Sequence, residues 1–114
     1  MPALAKTNTL FRAFADETRL RLLNLLLDGE TCVCHLCDVL SKPQPTVSRH
    51  LAYLRRAGLV GVRQDGRWKH YGVIRRPKAL HRALLTCVRE CLRRVDVLQG
   101  DLARLGEIRR QCEC

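Results

Sequence analysis

Apolar side chains recur at intervals of three and four along most of this chain, and the places where that rhythm changes mark its elements. In TNTLFRAFA, residues 7–15, Leu10, Phe11 and Phe14 share one face, which predicts a short helix packed beneath the later elements. Asp16 is a good N-cap for a second helix. There Leu20, Leu22, Leu23, Leu25, Leu26 and Leu27 leave little polar circumference before Asp28-Gly29 ends the run, so this helix belongs in a core. Val33, Leu36, Val39 and Leu40 space a third helix, and the joint Ser41-Lys42-Pro43-Gln44 comes next. Pro45 suits a first helical turn, Val47, Leu51 and Leu54 then recur at i, i+4 and i+7, and Gly58 offers a left-handed stop.

Past Gly58 the rhythm changes. Val60 to Gln64 and Arg67 to Val73 are rich in β-formers and are separated by Asp65-Gly66, which predicts a hairpin with a type I′ turn. From Pro77 a long helix is expected, with Leu84, Val88, Cys91, Val95, Leu98, Leu102 and Leu105 forming a seam of coiled-coil spacing suited to a dimer interface. Gly100 and Gly106 weaken its end, so it is extended no further than Gln99. Two helices across a tight turn, with a hairpin after them, make a winged helix-turn-helix of the α+β, mostly α class. A length of 114 residues suits one domain, residues 1–114, whose modest core a homodimer would enlarge.

Charge adds a partner to this outline. The formal net charge is +10, and between Arg49 and Arg82 ten Lys or Arg face a single acid, Asp65. The excess is therefore a local field over the second motif helix and the hairpin, as an anionic polymer such as double-stranded DNA requires. Those basic residues share no helix with a large apolar face, which argues against a membrane surface. No apolar run is long enough to span a bilayer and Met1 to Lys6 lacks a signal-peptide pattern, so the expected location is the cytoplasm.

Seven cysteines, an odd number without a secretory pattern, read as reduced thiols rather than a disulfide scaffold. Cys32, Cys34 and Cys37 form C-x-C-x2-C at a helix start. In a helix Cys34 and Cys37 share a face, and Cys32 can join them around one ion only if the chain there is non-helical. A helix N-terminus lowers thiol pKa and favours the thiolate that binds soft ions. Cys112 and Cys114 could complete a tetrahedral zinc or cadmium site, whereas His35 is read as a solvent-facing helix residue. Cys87 and Cys91 lie four apart, with Cys91 on the apolar seam, and are assigned to packing. No His or acid is placed to activate a nucleophile, so an enzyme is not expected. A thiol-redox regulator using Cys34 and Cys37 remains a second reading.

The runs FADETRLRLLNLL, CVCHLC, QPTVSRHLAYLRRAGLV and DGRWKHYGV, in that order and spacing, resemble the ArsR/SmtB family of metalloregulatory repressors, in particular its arsenite-responsive members. The resemblance covers roughly Leu10 to Val73. It implies a homodimeric repressor that leaves an imperfectly palindromic operator when As(III) or Sb(III) binds at Cys32, Cys34 and Cys37, the first two being the more essential. It implies DNA contacts from Gln44, Thr46, Ser48 and Arg49. Tyr53 and Arg56 are added from the polar face of the same helix, and Arg63, Arg67 and Lys69 of the hairpin are expected on phosphates. Zinc, cadmium or lead is the competing inducer, and no organic cofactor is implied. Family members that sense zinc through the last helix use Asp and His there; here His81 stands alone.

Overall fold

The computed structural model describes residues 2–111, with side chains from residue 4 onward; Cys112 and Cys114 lie outside the described residues. Helices α1 (Pro2–Phe14) and α2 (Glu17–Leu27) lead into a two-residue strand β1 (Thr31–Cys32), followed by α3 (Val33–Leu40) and α4 (Gln44–Arg56). Strands β2 (Val60–Asp65) and β3 (Trp68–Val73) come next, then α5 (Ala79–Cys87), one turn of π-helix (Val88–Leu92) and α6 (Asp96–Gln111).

The boundaries have local causes. Asp16, in extended conformation, accepts a hydrogen bond from the Arg19 amide and so caps α2. Ser41 takes the left-handed conformation at φ 53° to end α3, and Pro43 and Pro45 frame the start of α4. Gly58, at φ 79°, ends α4 as its lack of a side chain allows. The hairpin turn sits one residue later than its Asp-Gly signal implied. Asp65 pairs with Trp68, and only Gly66 of the two central residues has positive φ, which is the type II′ pattern rather than I′.

Leu22, Leu23, Leu25 and Leu26 of α2 meet Leu36, Val39 and Leu40 of α3 and Val47, Leu51 and Leu54 of α4 in the core. Burying such a side chain stabilises the fold by about 1.5–3 kcal/mol. Four sequence expectations change here. Helix α1 starts earlier and buries Leu10 and Ala13, which leaves Phe11 exposed beside Leu4, seven residues before it. The C-terminal segment is two helices, not one, because the chain turns after the π-helical turn and α6 packs back on α2 and α3. The expected seam is consequently split: Val88, Leu98 and Leu105 are buried within this chain, whereas Cys91 and Val95 are exposed, and Cys87 is exposed too, so neither cysteine has the packing role assigned to it. Helix α6 runs to Gln111, past the Gln99 limit, because tertiary anchors offset its two glycines. Arg21 holds Asp101 through two hydrogen bonds of 2.8 and 2.9 Å, and the Asn24 amide donates to the Leu98 carbonyl at 3.0 Å.

The sheet has three strands, ordered β1-β3-β2 and antiparallel throughout. Thr31 pairs with Tyr71 and Cys32 with His70, so β1 extends the hairpin.

Candidate nucleic-acid interface and thiol pair

Helix α4 buries Val47, Leu51 and Leu54 completely and turns Gln44 and Arg49 to solvent, with Thr46 and Ser48 half-exposed. Arg56 is also exposed, and Arg67 and Lys69 project from the hairpin. These are the side chains that sequence placed on DNA. Two other expected contacts are already engaged. The Tyr53 ring is half-buried under the Arg19 guanidinium, 4.2 Å from its centroid, with Arg56 at 5.5 Å. Arg19 is itself anchored by the carbonyls of Arg12 and Ala13 at 2.7 and 3.3 Å. Tyr53 therefore fixes α4 on α2 as much as it faces outward. Arg63 donates to the Glu30 carboxylate at 2.7 Å, which lifts its own pKa and draws the Glu30 carboxyl below the ordinary range. Its charge is compensated, whereas Arg67 and Lys69 form no ion pair among the described residues.

The sulfur cluster lies where β1 becomes α3. Cys32 is the N-cap of α3, extended at φ −66° and ψ 140°, which is the non-helical condition that convergence of its sulfur with those of α3 requires. Its Sγ is 3.1 Å from that of Cys34. Cys32 is 2% exposed, and Cys34 and Cys37 are half-buried. Among the described residues no three His, Cys, Asp or Glu side chains gather as a metal site, so the geometry is a close pair with Cys37 one turn further along the helix. For Cys37 the helix-terminus argument fails. Burial is the main cause of a raised thiol pKa there, and Asp38 and Cys32 raise it further, so the protonated form is favoured.

His35 is buried, contrary to its solvent-facing reading, because α6 covers α3. Burial lowers its pKa against the pull of Asp38, with Arg109 and His70 adding to the effect. From α6, Arg109 donates to Thr31 Oγ1 at 2.8 Å and to the Glu30 carbonyl at 3.3 Å. Sequence reasoning missed these contacts and β1 itself. The one local signal was Thr31-Cys32-Val33 after Gly29, too short a run to show alternation.

The family model for bacterial regulatory proteins of the arsR family matches residues 16–62, from the cap of α2 to the first half of β2. The uncharacterized HTH-type transcriptional regulator MJ1325 of Methanocaldococcus jannaschii is 45% identical over 75 residues, which span 65% of this chain and 84% of that protein. The chain belongs to the ArsR family. It is thus a DNA-binding transcriptional regulator with a winged helix-turn-helix, not an enzyme. The arsenical resistance operon repressor of Escherichia coli is 54% identical over 63 residues, which cover about half of each chain, 54% in both cases. The homodimeric winged helix-turn-helix domain Mb0332 of Mycobacterium bovis, a possible ArsR-family regulator, has a TM-score of 0.66 at 28% identity and covers 83% of this chain and 89% of its own. Among the described residues of this ArsR-family chain no helix is long and apolar enough to cross a membrane.

Proposed function

We propose that this ArsR-family protein is a cytoplasmic, homodimeric repressor that leaves a palindromic operator when As(III) or Sb(III) binds Cys32 and Cys34, with Cys37 as third ligand. The observation that carries the reading is the 3.1 Å contact between two sulfurs at a point joined to both DNA-facing elements. Helix α3 packs on α4, and Cys32 itself pairs with His70 on the hairpin strand that carries Lys69. A trivalent soft ion supplies strong bonds to thiolate sulfur. The paired thiols fit that role, and Cys37 needs a shift within α3 to join them. Cys112 and Cys114 are weaker candidates, for these ions or for zinc and cadmium.

Gln44, Thr46, Ser48 and Arg49 present donors and acceptors to base edges, and Arg56, Arg67 and Lys69 meet phosphates. Tyr53 and Arg63 serve this surface from their positions against Arg19 and Glu30. The dimer face uses Leu4 and Phe11 of α1 and Leu80 of α5, large apolar side chains that this chain leaves exposed. Release requires the effector to favour the conformation off DNA, and a coupling of about 1–3 kcal/mol is typical. Because β1 is a strand of the hairpin sheet, movement at Cys32 reaches the hairpin as directly as it reaches α4.

Labelled operator DNA under reducing conditions tests the proposal. The double substitution Cys32→Ser and Cys34→Ser is expected to leave operator binding intact and to abolish release by arsenite and antimonite; release that persists removes the pair from the mechanism. Release of the unaltered protein by zinc or cadmium alone would reassign the ion, and release by diamide alone would make the close sulfurs a redox switch.

A further inference from the structure

We propose that a cavity beside the start of α5 binds a phosphate-type oxyanion. Its volume is about 510 Å3, and it lies where α1, the end of α4, the chain leaving β3 and the start of α5 meet. Lys6, Arg56, Arg76, Lys78 and His81 line it, and no Asp or Glu does. None of these four Lys and Arg side chains forms an ion pair among the described residues, whereas Arg21, Arg63, Arg93 and Arg109 each have a carboxylate. Like charges around one hollow repel one another, and a multiply charged anion converts that repulsion into attraction.

The wall of the cavity is built rather than incidental. His81 Nε2 lies 2.9 Å from the Ala57 carbonyl oxygen. A carbonyl can only accept, so Nε2 carries the proton and donates. Gly58 permits this approach, since a Cβ on it would meet His81 Nε2 at 3.3 Å. The other ring nitrogen, Nδ1, is buried and is the side-chain polar atom left without a hydrogen-bond partner among the described residues. With its proton on Nε2, the ring keeps a lone pair on Nδ1, which can accept from the P–OH of a monohydrogen phosphate. Lys78 is the N-cap of α5 and its side chain makes no capping bond, so no side chain at the cap accepts from the first amides of that helix. Cations and uncapped amides complement phosphate oxygens, and the Nδ1 acceptor complements a phosphate hydroxyl.

The phosphate can be that of a small molecule or of the operator backbone, for Arg56 closes the helix proposed to read DNA. Two arms separate the sources. In the first, the full chain is titrated with inorganic phosphate against chloride at constant ionic strength and followed by NMR. Saturable shifts at the Ala79 and Leu80 amides and the His81 ring are expected, and the Arg76→Gln, Lys78→Gln double variant should lose them while melting like the parent. In the second, operator affinity is measured across a salt series. If the cavity holds a backbone phosphate, inorganic phosphate does not saturate it, and the double variant lowers the slope of log affinity against log salt by about 1.8, roughly 0.9 for each lost contact. Should the double variant fail to fold, Lys78→Gln alone replaces it in both arms, with half the slope change. Saturation identifies a free phosphate ligand, and a slope change without it identifies the backbone. Neither effect, in a folded protein, overturns the proposal. The phosphate arm involves neither DNA nor arsenite, so its outcome is independent of whether arsenite is the effector.

Discussion

Replacing Asp101 by Asn should loosen α6 and, with it, the thiol junction. Arg21 and Asp101 form a bidentate pair, with side-chain exposures of 19% and 8%. Breaking a fully buried pair costs about 3–5 kcal/mol, because one charge is left without its partner. Arg21 is a fifth exposed and can swing partly into water, which reduces the expected loss to about 2–3 kcal/mol. At roughly 2.1 cal/mol/K per residue the unfolding entropy of this 114-residue chain is about 0.24 kcal/mol/K, so the melting temperature should fall by about 10 °C. Thermal denaturation at fixed protomer concentration measures this, since an oligomer's stability depends on concentration. A second readout locates the effect. Helix α6 carries Arg109, which holds Thr31 beside the buried Cys32. Alkylation of Cys32 should therefore speed up in the variant more than that of the exposed Cys87. The double replacement Arg21→Met, Asp101→Leu should recover part of the lost stability, since it leaves no lone charge. A loss below about 1 kcal/mol, or unchanged Cys32 reactivity, would refute the reasoning.

Three single contacts carry further expected outcomes. His35 has a depressed pKa in the fold, so its contribution is present above the ordinary histidine value of 6.5 and is lost as pH falls through the folded value. Melting temperature should decline as pH drops from about 7.5 to 5.5, and His35→Leu should flatten that decline, which parallel melts of the two proteins will check. Gly58→Ala places a Cβ at positive φ against His81 and should destabilise by at least about 1 kcal/mol, measurable by urea unfolding. Glu30→Gln releases Arg63 from its carboxylate and should tighten operator binding while steepening its salt dependence by about 0.9; unchanged slope would mean that Arg63 does not reach the backbone.

What sequence could and could not reveal divides according to the range of the forces involved. The inner face of α4 was legible because Val47, Leu51 and Leu54 obey helical spacing whatever lies opposite them. The C-terminal seam obeys the same spacing, but spacing is indifferent to the identity of the partner surface. Leu98 and Leu105 could serve a second copy or this chain's own α2 and α3, and only the return of α6 decides for the latter. His35 was misplaced for the same reason, since the helix that covers it begins some sixty residues later.

The thiol junction obeys the same division, with a consequence for how a regulator of this kind can work. C-x-C-x2-C carries the proposed soft-ion site in its local spacing, yet nothing local says that Cys32 is hydrogen-bonded into the hairpin sheet or that Arg63 and Arg109 secure Glu30 and Thr31 just before it. A sensor placed only on α3 would have to move α4 through side-chain packing, which yields by small adjustments. One placed at the β1–α3 boundary also pulls on a ladder of backbone hydrogen bonds that ends at Trp68 and Lys69, two residues from the Cys32 partner His70 and nearer. If the hairpin is the more responsive element, arsenite should alter hydrogen exchange at Lys69 to Tyr71 before it alters exchange in α4. The opposite order would return the coupling to the helix pair.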